Sequence, residues 1–234
     1  IMGDATIAVR LTFTVHGHDP VTLETIEPAG GFFGLLPWGW FQPVSMVLGN
    51  PWNHRERLES LDLEATVLPA RATARLVALE ASRTEARPGE TVTYRVELEP
   101  YEKAPEWRTV SLEIPADLAP GSYTVTVGSA DIVPLTGPEP EDVPGLLAAI
   151  RRQAPYRSDQ LVAICARPEA SLQLKGRVWR DLPASAYAGL LPGHETGGRA
   201  RFVSDTVISP TLACPWVILG SRTATLEVRA TKRP

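Results

Sequence analysis

The stretch "VHGHDP" places His16, His18 and Asp19 within four residues, the best metal candidate in the chain. A His-x-His pair on a strand puts both imidazoles on one face, a geometry zinc uses. A zinc centre also needs a third ligand, and the only other histidines are His54 and His194. A plain turn with polar tips accounts for the same residues, so no metal or other cofactor is expected. Nucleophilic chemistry is no better served. A Gly-x-Ser-x-Gly elbow is absent, and Ser221 in "GSRT" precedes an alternating run, where it reads as the start of a strand. The glycines of "GHETGG" around His194 suit an anion nest or, more simply, an exposed hairpin tip. The 27 acidic residues contain no Asp-x-Asp-x-Asp run for calcium, and no pair stands out as a glycosidase dyad. No Gly-rich phosphate loop is present, and no catalytic residue is assigned.

The sharpest feature is apolar. "GGFFGLLPWGWFQPV", residues 30–44, holds five of sixteen aromatics and carries no charge. Its glycines and prolines break a helix, and its apolar residues do not alternate as a strand's would. Phe33, Trp38, Trp40 and Phe41 are therefore the candidates for a ligand or domain interface. Trp38 and Trp40, two residues apart, point to one side of an extended segment. That suits a sugar platform and a buried cap equally well. Burial against the chain's own β-structure or a neighbouring domain is favoured, because the apolar flanks extend past the rings with Gln42 as the only polar side chain from Phe32 to Val44.

Length and composition set the frame for these residues. The chain has 234 residues, 44% hydrophobic and 21% charged, enough for one large domain or two modest ones. The net charge is -4 and the basic residues are scattered, which argues against a nucleic-acid partner. Of 23 basic residues only Lys103, Lys175 and Lys232 are not arginine, a bias that fits a GC-rich source. No apolar run reaches the ~18 residues of a transmembrane helix. Cys165 and Cys214 lie in apolar β-like segments outside any CxxC or Cys/His set. Two buried thiols are the default, and a disulfide requires their strands to be neighbours.

The elements that position these residues are mostly strands. Residues 6–15 alternate strictly, with Ile7, Val9, Leu11, Phe13 and Val15 on one face. "VTLETIE" follows "HGHDP" as a shorter strand, completing an N-terminal hairpin. "PVSMVLGNPW" suits one or two helical turns ending at Gly49. Leu61, Leu63, Ala65 and Val67 form another alternating face. From residue 73 to 133, strands recur about every ten residues between Pro/Gly turns, which indicates an immunoglobulin-like β-sandwich. Tyr94, Val96, Val110, Leu112, Tyr123 and Val125 are its predicted core. "PLTGPEPEDVP" has linker composition. A helix is predicted over residues 143–153, N-capped by Asp142, with Pro144 in its first turn and Arg151 and Arg152 in its last. Strands are predicted in "QLVAICA", "SLQLKGRVW", "RARFVSDTVIS" and "SRTATLEVRA". The expected organisation is a β-sandwich region over 1–133 with its immunoglobulin-like core at 73–133. A small α+β region over 134–234 packs back onto it.

The order "DATIAVRLTFTVHGHDPVTLETIE", a variable loop, "RLESLDLEATVLPARATARLVALEASRTEARPGETVTYRVEL", "RTVSLEIP", the helix and "GSRTATLEVR" resembles the region that follows the catalytic domain in large SpoIVB-like serine peptidases. Those are secreted or envelope proteins of bacteria, and their peptidase unit carries Gly-Met-Ser-Gly-Ser-Pro. That motif does not occur here. The resemblance implies a non-catalytic accessory or interaction module, extracytoplasmic, whose partner is its own upstream domain or another envelope protein. The abrupt start at Ile1 fits a chain cut from something longer. Two other classes compete: a carbohydrate-binding module using Trp38, Trp40 and Phe41, and a hydrolase whose site the sequence does not display.

Overall fold

The structure, a computed structural model, describes residues 5–29, 41–52, 55–134, 139–167, 171–174, 177–179, 201–203 and 205–230. It is mainly β and has two layers of interest.

The first layer is a three-stranded antiparallel sheet. Strand β1 (Thr6–Val15) lies in its centre, between β2 (Val21–Pro28) and β3 (Leu58–Leu68). The predicted face of β1 is buried at all five positions, Ile7 through Val15. Two helices, α1 (Gln42–Leu48) and α2 (Val143–Gln153), cover its Leu11–Val15 half, while Ile7 and Val9 form a separate cluster with Ala29 and Leu63. Helix α1 stops where Gly49 N–H donates to the Ser45 carbonyl at 2.8 Å and Asn50 Nδ2 donates to the Val47 carbonyl at 3.0 Å. Helix α2 begins as predicted: the Asp142 carboxylate accepts from Gly145 N–H at 2.7 Å, Pro144 sits in the first turn, and Arg151 and Arg152 close the last. Its apolar stripe, Leu146, Leu147 and Ile150, meets Leu11, Phe13 and Val15 in one cluster.

The second layer is a β-sandwich. One sheet runs in the order β15 (Val217–Leu219), β4 (Thr73–Ala81), β6 (Thr91–Pro100), β7 (Glu106–Glu113). The facing sheet runs β13 (Thr206–Ile208), β9 (Gln160–Ala166), β8 (Gly121–Ser129), β16 (Ser221–Val228), β5 (Glu85–Ala86), and the short β14 (Leu212–Ala213) also pairs with β9. Tyr94, Val96, Val110, Leu112, Tyr123 and Val125 are all buried between the sheets, which sets the predicted strand phases. The Arg87–Glu90 turn closes with Glu90 N–H on the Arg87 carbonyl, and Gly89 supplies its left-handed φ of 86°. The chain leaves the first sheet at β15 and enters the second at β16 through Gly220, whose φ of 84° makes the crossing. A separate small sheet joins β10 (Ser171–Leu174) to β11 (Arg177–Trp179) and β12 (Arg201–Val203).

Two expectations about organisation change. Strand β3 belongs with the N-terminal hairpin and not with the sandwich. The linker composition at 134–144 marks no boundary in the sandwich, because β9 and β16, from beyond it, flank β8 on both sides. Helix α2, also from beyond it, covers the N-terminal sheet. Two longer predicted strands are interrupted: "SLQLKGRVW" is the hairpin β10–β11, and "RARFVSDTVIS" is β12 and β13.

Both cysteines are free and buried. Cys214 N–H donates to the Asp159 carbonyl at the start of β9, whereas Cys165 lies near that strand's end. Six residues of strand separate the two places, about 20 Å at strand rise. That is well outside the ~7 Å Cα limit for a disulfide. Burial pushes each thiol up to about 11, against a smaller lowering by Arg167 at Cys165 and by Arg108 at Cys214. Burial also pushes Tyr94 up to about 12, and its hydroxyl finds no partner among the described residues. Groups whose folded values lie above their ordinary 9.0 and 10.0 hold protons that the unfolded chain releases first. Their contribution to stability is therefore complete below about pH 9 and drains away as pH climbs toward 12. Urea midpoints are expected to hold steady below about pH 9 and to fall above it. Native protein at about pH 8 is expected to resist a thiol-specific chromogenic reagent until denaturant is added. Rapid titration of either thiol in the native state would contradict the burial.

Candidate functional site

Strand β3 is where the fold leaves interaction capacity unused. Its alternation places Leu61, Leu63, Ala65 and Val67 on the same face as the buried side of β1, through the pairs Phe13↔Leu61, Leu11↔Leu63, Val9↔Ala65 and Ile7↔Val67. The helices reach over the Leu11–Val15 half of β1 and only partly over β3. Leu58 and Leu63 pack half-buried against the helix-covered cluster, but Leu61 stays 41% exposed and Val67 40%. Leu68, on the opposite face, is 37% exposed. Among the described residues no strand pairs with the outer edge of β3. An eleven-residue edge with open backbone groups and exposed apolar side chains is what soluble proteins usually blunt or cover.

The other face of this sheet carries charge in a row. Register sets Glu24 of β2 opposite Arg10 of β1, and Arg10 opposite Glu64 of β3. Arg10 Nε donates to Glu24 Oε1 at 2.9 Å, and its Nη1 lies 3.6 Å from Glu64 Oε2. On the far side Arg157 Nη1 lies 3.1 Å from Glu24 Oε2, while Arg157 Nε donates to Asp159 Oδ1 at 2.9 Å. The sequence of charges from Asp159 to Glu64 thus alternates in sign without interruption. Both arginines are held above their ordinary values, Arg10 chiefly by its hydrogen bond to Glu24 and Arg157 chiefly by its bond to Asp159. Beside this row, Thr12 Oγ1 and Thr22 Oγ1 share a hydrogen bond at 3.1 Å, and Ser60 Oγ donates to Thr14 Oγ1 at 3.1 Å.

Neither a family model, nor a curated protein, nor a solved structure matches this chain.

The candidate metal residues do not assemble. Strand β1 ends at Val15, and Gly17 takes φ 77° in the turn that follows, so His16 and His18 do not share a strand face. His16 Nδ1 lies 2.6 Å from Glu59 Oε1, tying the turn to β3. Among the described residues no three His, Cys, Asp or Glu side chains converge. Ser221 opens β16, opposite Gly128, where a strand-start serine was expected. Of the four interface candidates, Phe33, Trp38 and Trp40 lie outside the described residues, as does His194. Phe41 precedes α1 and packs half-buried against the helix-covered core. An apolar cleft of about 330 Å³ opens between α1, α2 and β2, walled by Met46, Leu146, Ile150 and Tyr156, with Glu24 at its rim. Glu24 is already engaged by two arginines and Gln153 Nε2 donates to the Val133 carbonyl, so Gln42 and Tyr156 are the other polar side chains on a mostly apolar lining.

No sequence motif marked β3 as special. The signal that could have found it was the alternation itself combined with charge: "LESLDLEATVL" carries three acids and no base on what reads as a half-buried strand.

Proposed function

We propose that this chain is a non-catalytic interaction module, the accessory part of an extracytoplasmic peptidase-type protein of the SpoIVB-like kind. The observation that carries the reading is the outer edge of β3, which no strand pairs with among the described residues, together with the exposed Leu61 and Val67. The resemblance in the order of its segments supports the peptidase context, and the missing Gly-Met-Ser-Gly-Ser-Pro motif supports the accessory role. Among the described residues no helix is long and apolar enough to cross a membrane.

Incubation of the folded chain with a broad fluorophosphonate probe tests the non-catalytic half of the reading. Every serine is expected to remain unlabelled by mass spectrometry. Stoichiometric labelling of one serine would make the chain a hydrolase and end the proposal.

A further inference from the structure

We infer that the outer edge of β3 accepts an extended segment of another polypeptide in which apolar residues alternate with basic ones, apolar–basic–apolar–basic–apolar, paired against Leu61 to Ala65. This rests on the interaction reading above and specifies the partner. Edge addition of a strand draws affinity from main-chain hydrogen bonds and specificity from alternate side chains. Here both faces dictate the alternate side chains.

On the polar face, Asp159, Arg157, Glu24, Arg10 and Glu64 alternate in sign across the layer. The row ends at Glu64, whose side chain is 73% exposed. A strand added at the ordinary spacing sets its residue about 5 Å from Glu64, where an arginine or lysine continues the alternation. The next residue on that face stands opposite Asp62 and is basic for the same reason. On the other face, the residues between and beside these two stand next to Leu61, Leu63 and Ala65. Apolar side chains there cover Leu61, which the helices leave open.

The same charges argue against a second copy of this chain as the occupant. Antiparallel pairing of β3 with itself about its midpoint, Leu63, sets Asp62 of each copy opposite Glu64 of the other. Like charges directly opposite one another destabilise a strand pair.

The test uses the full chain and three labelled eleven-residue peptides. One carries Val-Arg-Val-Arg-Val at its centre, one carries Val-Glu-Val-Glu-Val, and one has the arginine peptide's composition in scrambled order. Fluorescence anisotropy is expected to show the arginine peptide binding about tenfold or more tightly than the other two, and less tightly as salt rises. Amide exchange is expected to slow in β3 on binding. The double variant D62R/E64R, at exposed positions where folding is checked by circular dichroism, is expected to reverse the preference toward the glutamate peptide. Equal binding of the scrambled peptide, stronger binding of the glutamate peptide to the unaltered chain, or an unchanged preference in the variant would overturn the inferred partner chemistry. In any of those cases slowed exchange in β3 would still uphold the interaction reading. Protection of β3 by none of the peptides would sink both. Concentration-dependent dimers in sedimentation, abolished by D62R/E64R, would make the occupant a second copy and overturn the inference.

Discussion

A chain ending at residue 133 will not fold. On local pattern residues 73–133 form a complete sandwich, with strands at regular spacing and Pro/Gly turns between them. In the structure, β8 is flanked by β9 and β16, both of which lie beyond that point. Truncation leaves β8 with neither neighbour and reduces the far sheet to β8 and the two-residue β5, which do not pair with each other. Tyr123, Val125 and Val127 would lose their lateral cover, and Leu98, Leu112 and Val110 would lose Leu161, Ala163 and Leu226 from the cluster they share. The truncation also removes α2, and with it Leu146, Leu147 and Ile150 from the helix-covered core. Losses on this scale exceed the ~5–15 kcal/mol by which domains are stable. The fragment is expected to give no cooperative thermal transition and poor amide dispersion, and to be digested by chymotrypsin under conditions that spare the full chain. Adding residues 134–230 in trans is expected to restore some of the order. A cooperative melt of the fragment alone would mean that β9 and β16 are appendages and that the shared core is misassigned.

The same case shows where legibility in the sequence stops. Faces were legible because a strand's side chains alternate with period two. All five inward residues of β1 and all six predicted sandwich residues follow from that rule alone. Helix α2 was legible to the residue, since Asp142, Pro144 and Arg151 mark its ends through local chemistry. Pairing partners were not. β8 and β16 stand about a hundred residues apart in the chain, and no local propensity records which strand will close a sheet edge. Composition at 134–144 has the proline and acidic residues of a domain linker, yet β9 and β16 from beyond it pair with β8 from before it. Alternation set which way β3 faces but not how deeply it is buried. Leu61 and Val67 face the same way as the buried β1 side chains, yet how far a helix extends over a neighbouring strand is a tertiary quantity. His16 and His18 sit in a turn for a local reason: β1 ends at Val15, and Gly17 turns the chain. The open edge, which is the candidate site, consists of the absence of a neighbour among the described residues, and pattern within a strand does not encode that.

Phe13→Ala is expected to be the most damaging single truncation in the N-terminal layer. Phe13 is fully buried, at 0% exposure, on the central strand. It pairs with Val21 on one side and Leu61 on the other, and it shares a cluster with Val44 and Val47 of α1 and Leu146 and Leu147 of α2. Those neighbours come from four elements, so no single one can move in to fill the vacated volume. Removing a buried phenylalanine under such conditions costs about 3–5 kcal/mol, as lost transfer energy plus an unfilled cavity. Leu61→Ala, on the adjacent strand in the same register row, is the control. With 41% of Leu61 already exposed, its loss is expected to stay within about 0.5 kcal/mol. Urea denaturation followed by tryptophan fluorescence and by far-ultraviolet circular dichroism separates the cases. A large fall in midpoint for Phe13→Ala with little change for Leu61→Ala is the expected pair of results. If the two variants fall together, β3 is covered in solution by something that buries Leu61, and the edge on which the proposed interaction depends is already occupied. If neither falls, the helices do not pack on β1. The layer that presents β3 would then lack the rigidity that strand addition requires, because an edge must be held straight before a second strand can register against it.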